Sequence, residues 1–237
     1  IRQQLRAVPR ILAGLLFAFM AAMASVVHAS PSPPLWDGLP ADVITNADGH
    51  DGSTAEKAIL IKDAAELAYF AQQVNAGGLK LDVAKGTSID NGEKDKGFAG
   101  LYFALSNDID LEGYNWTPIG SSYNPFQGHF DGRGYTVKGL TVIGDMPYAG
   151  LFGYVVNGTL CNLGVSLHED GIKVSSAGGV YAGGIVGLLQ GSSGDVSLRN
   201  CYVVGNGKVE GTSTDYMSHV GGIAGAVVVE VGDNTAS

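Results

Sequence analysis

Asp108 and Asp110 stand two residues apart in Ser106-Asn107-Asp108-Ile109-Asp110-Leu111. On a strand, that spacing puts both carboxylates on one face about 7 Å apart. An inverting glycosidase separates its acid and base by a similar distance. The same residues also fit turn capping, and that is the reading the surrounding Asn-Asp-Ile-Asp-Leu element favours. Asp131 opens a glycine-flanked turn, where a short carboxylate suits an Asx-turn, and His129 stands alone between Gly128 and Phe130. His168-Glu169-Asp170 is the most chemical-looking triplet, and its place between two apolar runs predicts a solvated corner in an inserted loop over 168–180. Asp48 to Asp51 has the acidic density of a calcium loop but lacks the glutamate that closes an EF-hand loop, so it reads as a turn. No serine nucleophile elbow, phosphate loop, zinc signature or His-Glu-x-x-His pair occurs. These residues predict no catalytic site, no cofactor and no metal.

The elements that must carry them are announced by glycine. Tyr148-Ala149-Gly150-Leu151-Phe152-Gly153 returns as Tyr181-Ala182-Gly183-Gly184-Ile185-Val186-Gly187, and again as His219-Val220-Gly221-Gly222-Ile223-Ala224-Gly225. Aligning Gly150, Gly184 and Gly222 spaces the copies by 34 and 38 residues, the mark of a chain that stacks repeating units. The glycines are expected at corners with positive φ or close backbone approach. Leu151, Ile185 and Ile223 are expected to fill one inward column. Short strands bent at glycines every few residues suit a parallel β-helix (β-solenoid), an all-β fold, better than a hairpin sandwich.

Leu160-Cys161-Asn162-Leu163 matches Leu198-Arg199-Asn200-Cys201 at an offset of 38. Asn162 and Asn200 could then form a ladder of stacked amides. The same offset puts Cys161 opposite Arg199 and Cys201 opposite Leu163, which speaks against a disulfide. It predicts a buried Cys201 and a more exposed Cys161. The loops 168–180 and 205–219, inserted between copies, are the expected places for binding.

Before the repeats, Asp63 is a plausible N-cap, and Glu66 completes a capping-box pattern. Ala64, Leu67, Ala68, Phe70, Ala71 and Val74 form one apolar helical face, ended by Ala76-Gly77-Gly78. A single helix ahead of stacked strands predicts a small N-terminal strand–helix cap, as repeat stacks require. The expected organisation is a signal peptide over 1–29, a linker over 30–57, the cap and an irregular polar loop over 58–97, and repeats over 98–237. Since the chain starts at Ile1 and stops inside repeat-like sequence, it reads as a fragment. The leader rests on Arg2, Arg6 and Arg10, an uncharged run from Ile11 to Val27, and a cleavage site between Ala29 and Ser30. Removing it takes the formal charge from −9 to −12, with 23 acidic residues against 14 − 3 = 11 basic ones. That balance argues against nucleic acid and anionic lipid surfaces. The mature form is not expected to insert in a membrane. With 36 glycines and 45% apolar residues, the chain is not of a disordered type.

At Trp116-Thr117-Pro118-Ile119-Gly120, Phe126-x-Gly128-x-Phe130-Asp131-Gly132-x-Gly134, Gly139-Leu140 and Gly150-Leu151-Phe152-Gly153, the chain resembles bacterial GLUG-motif repeat proteins. The block Asn157 to Val165 continues the likeness, which covers about residues 53–237. The second and third copies depart from it at Gly184-Ile185-Val186 and Gly222-Ile223-Ala224. The resemblance implies an exported bacterial protein with a right-handed parallel β-helix. Such repeats occur in adhesin-like surface proteins and in non-catalytic parts of immunoglobulin A-cleaving peptidases, and the motif is not known to carry catalysis. A structural or adhesive scaffold at the cell surface or outside the cell is therefore expected, with a host or matrix protein or glycan as partner. The alternative is a non-catalytic N-terminal spacer in a larger exported peptidase or carbohydrate-active enzyme.

Overall fold

The computed structural model describes residues 36–45, 49–78, 80–83, 87–90, 97–192 and 196–230. The expected leader 1–29 with its Ala29–Ser30 cleavage site, the proline run, Asp48, and the charged residues Lys85, Glu93, Lys94, Asp95 and Lys96 lie outside the described residues. What is described is mostly β-strand, with one α-helix and largely parallel pairing.

Strand β1 (Ile59–Ile61) leads into helix α1 (Ala64–Asn75). Asp63 caps the helix from an extended backbone, its Oδ1 accepting the Glu66 N–H at 2.9 Å. The reciprocal half of the capping box does not form. The Glu66 carboxylate is 2% exposed and meets other backbone groups instead. It accepts the Lys62 N–H at 3.1 Å and the Thr45 N–H at 2.7 Å, with the Lys62 ammonium at 3.1 Å. The helix ends where Gly78 adopts φ +65°, a position at which a Cβ would lie 2.8 Å from Gly97 Cα. Phe70, fully buried on the inner helical face, meets the rings of Phe98, Phe103, Phe126 and Phe130 at 4.6–6.1 Å. Truncating it to alanine would cost about 3–5 kcal/mol.

Two stretches are more ordered than their composition implies. In its described part, the stretch expected as a linker packs on the helix. Ala41 N–H donates to Ala65 O at 2.8 Å, and buried Ile44 bridges in parallel to Val83. The stretch expected as an irregular polar loop contains an antiparallel hairpin, β2 (Lys80–Val83) with β3 (Thr87–Asp90). Leu81 and Val83 alternate inward from exposed Lys80, a two-residue period too short to stand out among the charges.

The remaining strands run β4 (Tyr102–Leu105) and β5 (Ile109–Asp110); then β6 (His129–Asp131), β7 (Thr136–Asp145), β8 (Tyr148–Ala149) and β9 (Phe152–Val156). Next come β10 (Thr159–Cys161), β11 (Gly164–Ser176), β12 (Val180–Gly183) and β13 (Val186–Ser192). Last are β14 (Ser197–Arg199), β15 (Tyr202–Gly205), β16 (Val209–Ser213), β17 (Ser218–Gly221) and β18 (Ala224–Glu230). They assort into four parallel sheets, ordered β1-β4-β6-β10-β14, β15-β11-β7-β5 with β16 beside β11, β17-β12-β8, and β18-β13-β9. From β6 onward the chain visits these sheets in one fixed sequence, then begins again.

Register makes the repetition physical. Ile59, Phe103, Phe130, Leu160 and Leu198 pair in succession along the first sheet. Ile109, Val137, Val165 and Val203 do so along the second. Phe152, Val186 and Ala224 align at the spacing of 34 and 38 read from the glycines. Each fully buried side chain in these columns contributes about 1.5–3 kcal/mol of hydrophobic stabilisation. The columns thin out at the last strands: Leu198 and Val203 are half-buried, and Val220, Ile223 and Val227 are 44%, 39% and 52% exposed. Leu151 and Ile185 are fully buried as expected, but Ile223 is not, because no strand lies over it among the described residues.

Candidate functional site

Asp108 and Asp110 are each held by neighbouring groups. Asp108 Oδ1 accepts the Thr136 N–H at 2.9 Å, and its Oδ2 holds the Lys138 ammonium at 2.8 Å. The Lys138 hydrogen bond, then the Thr136 N–H, hold the Asp108 carboxyl below its ordinary range. Asp110 instead accepts the Glu112 N–H at 2.9 Å, fixing a turn in which Glu112 has φ +55°. The two carboxylates thus brace different backbone groups. Asp131 makes the expected Asx-turn, accepting the Arg133 N–H at 2.8 Å. It also accepts Asn162 Nδ2 at 2.9 Å, and Asn162 in turn accepts Asn200 Nδ2 at 2.9 Å. The amide ladder therefore exists and begins on a carboxylate. His129 stacks on Tyr102 at 4.4 Å between ring centroids.

The segments expected as inserted loops are strands for much of their length. β11 continues through His168-Glu169-Asp170 to Ser176, and β16 and β17 occupy about half of 205–219. The insertion is absorbed as register shifts between Val165 and Ile172 in the pairing of β11 with β7. Gly171, at φ +64°, allows the backbones to cross there; a Cβ would lie 2.3 Å from Lys208 O. Polar sequence hid these strands because their outward residues alternate with buried Ile172 and Val174. His168 Nδ1 lies 3.1 Å from the Asp170 carboxylate at the exposed bend.

The repeat glycines act by close approach. A Cβ at Gly150 would lie 2.5 Å from Gly183 O, and one at Gly184 would lie 2.7 Å from Gly222 O. Gly153, Gly187 and Gly225 form a second column, where a Cβ would come 2.5, 2.7 and 2.6 Å from the carbonyls of Gly120, Gly153 and Gly187 in turn. Gly222 departs from the expectation: nothing lies within 4 Å of a Cβ there, and its φ is not left-handed. Cys161 and Cys201 are free, with Cys161 in register with Arg199 as expected. The contrast in burial is absent, since both are half-buried. Burial first, then the Asp131 charge, pushes the Cys161 thiol up to about 11.

Two of the concave surfaces among the described residues are lined by Tyr or Trp rings. On the third sheet Tyr148, Tyr181 and His219 stack in register at 5.6 and 4.8 Å, beside exposed Tyr216 and Met217, along a groove of about 790 Å³. The other, of about 470 Å³, lies between the strap after Trp36, helix α1 and the segment Asn115-Trp116-Thr117. Trp36 reaches it edge-on to Tyr114, with ring centroids 5.5 Å apart and planes at 70°. Gly38 fits beneath, where a Cβ would lie 2.9 Å from the Tyr114 ring. The sequence does not announce this cleft, because Trp36 and Trp116 lie 80 residues apart. The available signal was that they are the chain's only two tryptophans and both sit in turn-rich stretches.

No family model matches the chain. It is similar to a protein of Evansella cellulosilytica described as a "Putative Gly-rich membrane protein", 39% identical over 102 residues. That match takes in 40% of this chain and 11% of the relative, so the chain spans about a tenth of the relative's length. No solved structure matches. Among the described residues, no helix is long and apolar enough to cross a membrane, which says nothing of a β-barrel.

Proposed function

We propose that this chain is an exported bacterial β-solenoid module of the GLUG-repeat kind, serving as a structural and adhesive scaffold for protein or glycan contacts at the cell surface or outside the cell. The single observation that carries the reading is residue-for-residue parallel register, repeated across four sheets and sealed at one end by helix α1. The right-handed sense is the one expected of parallel crossover connections. Phe70 plugging the first set of inward rings fits a stack that is capped at its start. The basic, then uncharged, first 29 residues support export. The hydrogen bonds of Asp108, Asp110 and Asp131 to backbone support a structural role for its carboxylates.

The test is to tag the protein in the producing cell, locate it by protease shaving and fractionation, and compare adhesion of intact and deleted strains to immobilised matrix proteins and glycans. Surface or extracellular tag with reduced adhesion on deletion is expected. A cytosolic tag, or unchanged adhesion, overturns the reading. The much longer relative favours a second reading, a spacer within a larger exported protein. A His-Glu-x-x-His sequence downstream in the same gene would support that version.

A further inference from the structure

The cleft beside Trp36 has the make-up of a site for a neutral sugar. Its volume of about 470 Å³ falls within the range of small-ligand sites, about 300–1,000 Å³. Among the described residues, its lining holds no Asp, Glu, Lys, Arg or His. An ionic ligand would therefore find no counter-charge, and a formal charge of −9 further disfavours anions.

What the cleft does offer is aromatic surface and held amides. Trp116 forms the buried back wall, its indole N–H tied to Leu151 O at 3.0 Å. Trp36 is partly buried at the mouth, held by its N–H to Leu39 O at 2.7 Å and by its contact with Tyr114. A ring fixed in this way offers contact area with little further ordering cost. Asn75 Oδ1 accepts the Gly120 N–H at 2.9 Å while its Nδ2 donates to Pro118 O at 3.0 Å. Asn115 is clamped likewise by Ile143, at 2.7 Å to Oδ1 and 3.0 Å from Nδ2. Each amide has two N–H donors, and the contacts named use one of them in each case. Exposed Gln72 and Thr117 add adaptable donors and acceptors at the rim.

A wholly apolar ligand would leave those amides unanswered, and an ion would lie unpaired. A molecule with an apolar C–H face and a ring of hydroxyls answers both. We propose that this cleft binds a neutral saccharide, with one pyranose unit lying against Trp36 and its hydroxyls meeting the Asn75, Asn115 and Gln72 amides. The site gives the scaffold reading a ligand class, and it rests on that reading only for the export that brings extracellular glycans within reach.

Because both tryptophans of the chain line the cleft, intrinsic fluorescence reports its occupancy. Purified whole chain is titrated with cellotetraose, xylotetraose, mannotriose, galactotriose and chitotriose, with oligogalacturonate as the charged control and a proline-rich peptide as the protein-like one. The expected result is a saturable, salt-insensitive change in emission with at least one neutral sugar. Gln72→Ala should weaken that response about fivefold or more without moving the thermal midpoint. Trp36→Ala should abolish it, and Gln72→Ala keeps the test sound should loss of Trp36 loosen the strap. The proposal is overturned by silence from every neutral sugar up to about 10 mM, by a response to oligogalacturonate or the peptide alone, or by full retention in both variants. These outcomes leave cell-surface location, tested separately, untouched.

Discussion

Asn200 Nδ2 donates to Asn162 Oδ1 at 2.9 Å, joining side chains 38 residues apart in the chain. Asn162 passes the contact on to Asp131 at 2.9 Å, and both asparagines have φ +52°, a conformation asparagine tolerates better than most residues. Backbone turn and ladder thus reinforce each other. Asn162→Ala removes both hydrogen bonds and strains the turn, so it should cost about 2 kcal/mol in urea unfolding. Asn162→Gly loses the ladder but keeps the turn, and should recover about 1 kcal/mol of that. Equal costs for the two variants would show that the left-handed turn adds nothing.

Glu66 ties the strap to the helix. Its buried carboxylate accepts from Thr45 and Lys62 backbone N–H groups and faces the Lys62 ammonium. Glu66→Gln turns one acceptor into a donor aimed at these donors, and should lower stability by about 2–3 kcal/mol. Since Thr45 belongs to the strap that carries Trp36, hydrogen exchange over 36–45 should rise in the same variant. Unchanged exchange there would separate the strap's order from Glu66.

These two cases mark what the sequence could and could not convey. Asp63 and the helical face were legible because capping and the 3.6-residue period are local. The register of Cys161 with Arg199 was legible because an offset of 38 carries whole blocks with it. Glu66 was legible as a helix-start residue but not as the anchor of Thr45, since that partner lies 21 residues away. The strands within 168–180 and 205–219 were hidden because an outward strand face reads like a loop. The cleft at Trp36 was hidden because three separate segments form it.

Asp108 should make the acid limb of the stability curve slightly steeper. Its carboxyl is held below the ordinary range by Lys138 and the Thr136 N–H, so the folded state binds the proton more weakly than the unfolded one. The contribution is therefore present above the usual carboxylate range and is lost as pH falls through the lowered folded value. With the side chain about half exposed, solvent screening limits the effect to about 0.5 kcal/mol. Asp108→Asn should be less stable by that amount near neutral pH, and the two unfolding curves should converge as pH falls below the lowered folded value. A constant gap at all pH values would assign the effect to geometry alone.

Cys161 should be a sluggish nucleophile in the folded protein. Its thiol is pushed up to about 11, chiefly by burial and next by the Asp131 charge. At about pH 8 its thiolate fraction, and hence its alkylation rate, should be about two orders of magnitude lower than in urea-unfolded chain. Asp131→Asn should speed the native reaction modestly. Mass spectrometry of iodoacetamide-labelled peptides separates Cys161 from Cys201, whose thiol is also raised by burial. Native labelling of Cys161 at the unfolded rate would contradict the packing at that column.

Gly184 and Gly222 occupy the same place in successive copies, yet they should respond unequally to substitution. A Cβ on Gly184 would lie 2.7 Å from Gly222 O and 2.8 Å from both Val203 methyls. Val203 can turn, but the carbonyl belongs to backbone that is itself hydrogen-bonded, with Gly184 N–H donating to that same oxygen at 3.0 Å. Gly184→Ala should therefore cost about 1–3 kcal/mol as overpacking. Gly222→Ala meets nothing within 4 Å and should change stability by no more than about 0.5 kcal/mol. The pair shares sequence context, so differences in unfolded-state entropy largely cancel, and the contrast isolates what lies above each glycine. If backbone is seated over Gly222 in a longer chain or an assembly, Gly222→Ala should become as costly there as Gly184→Ala. Calorimetry of both variants in both settings reads this directly, and equal effects of the two substitutions in the chain described here would contradict the register of β12, β13 and the strands beyond them.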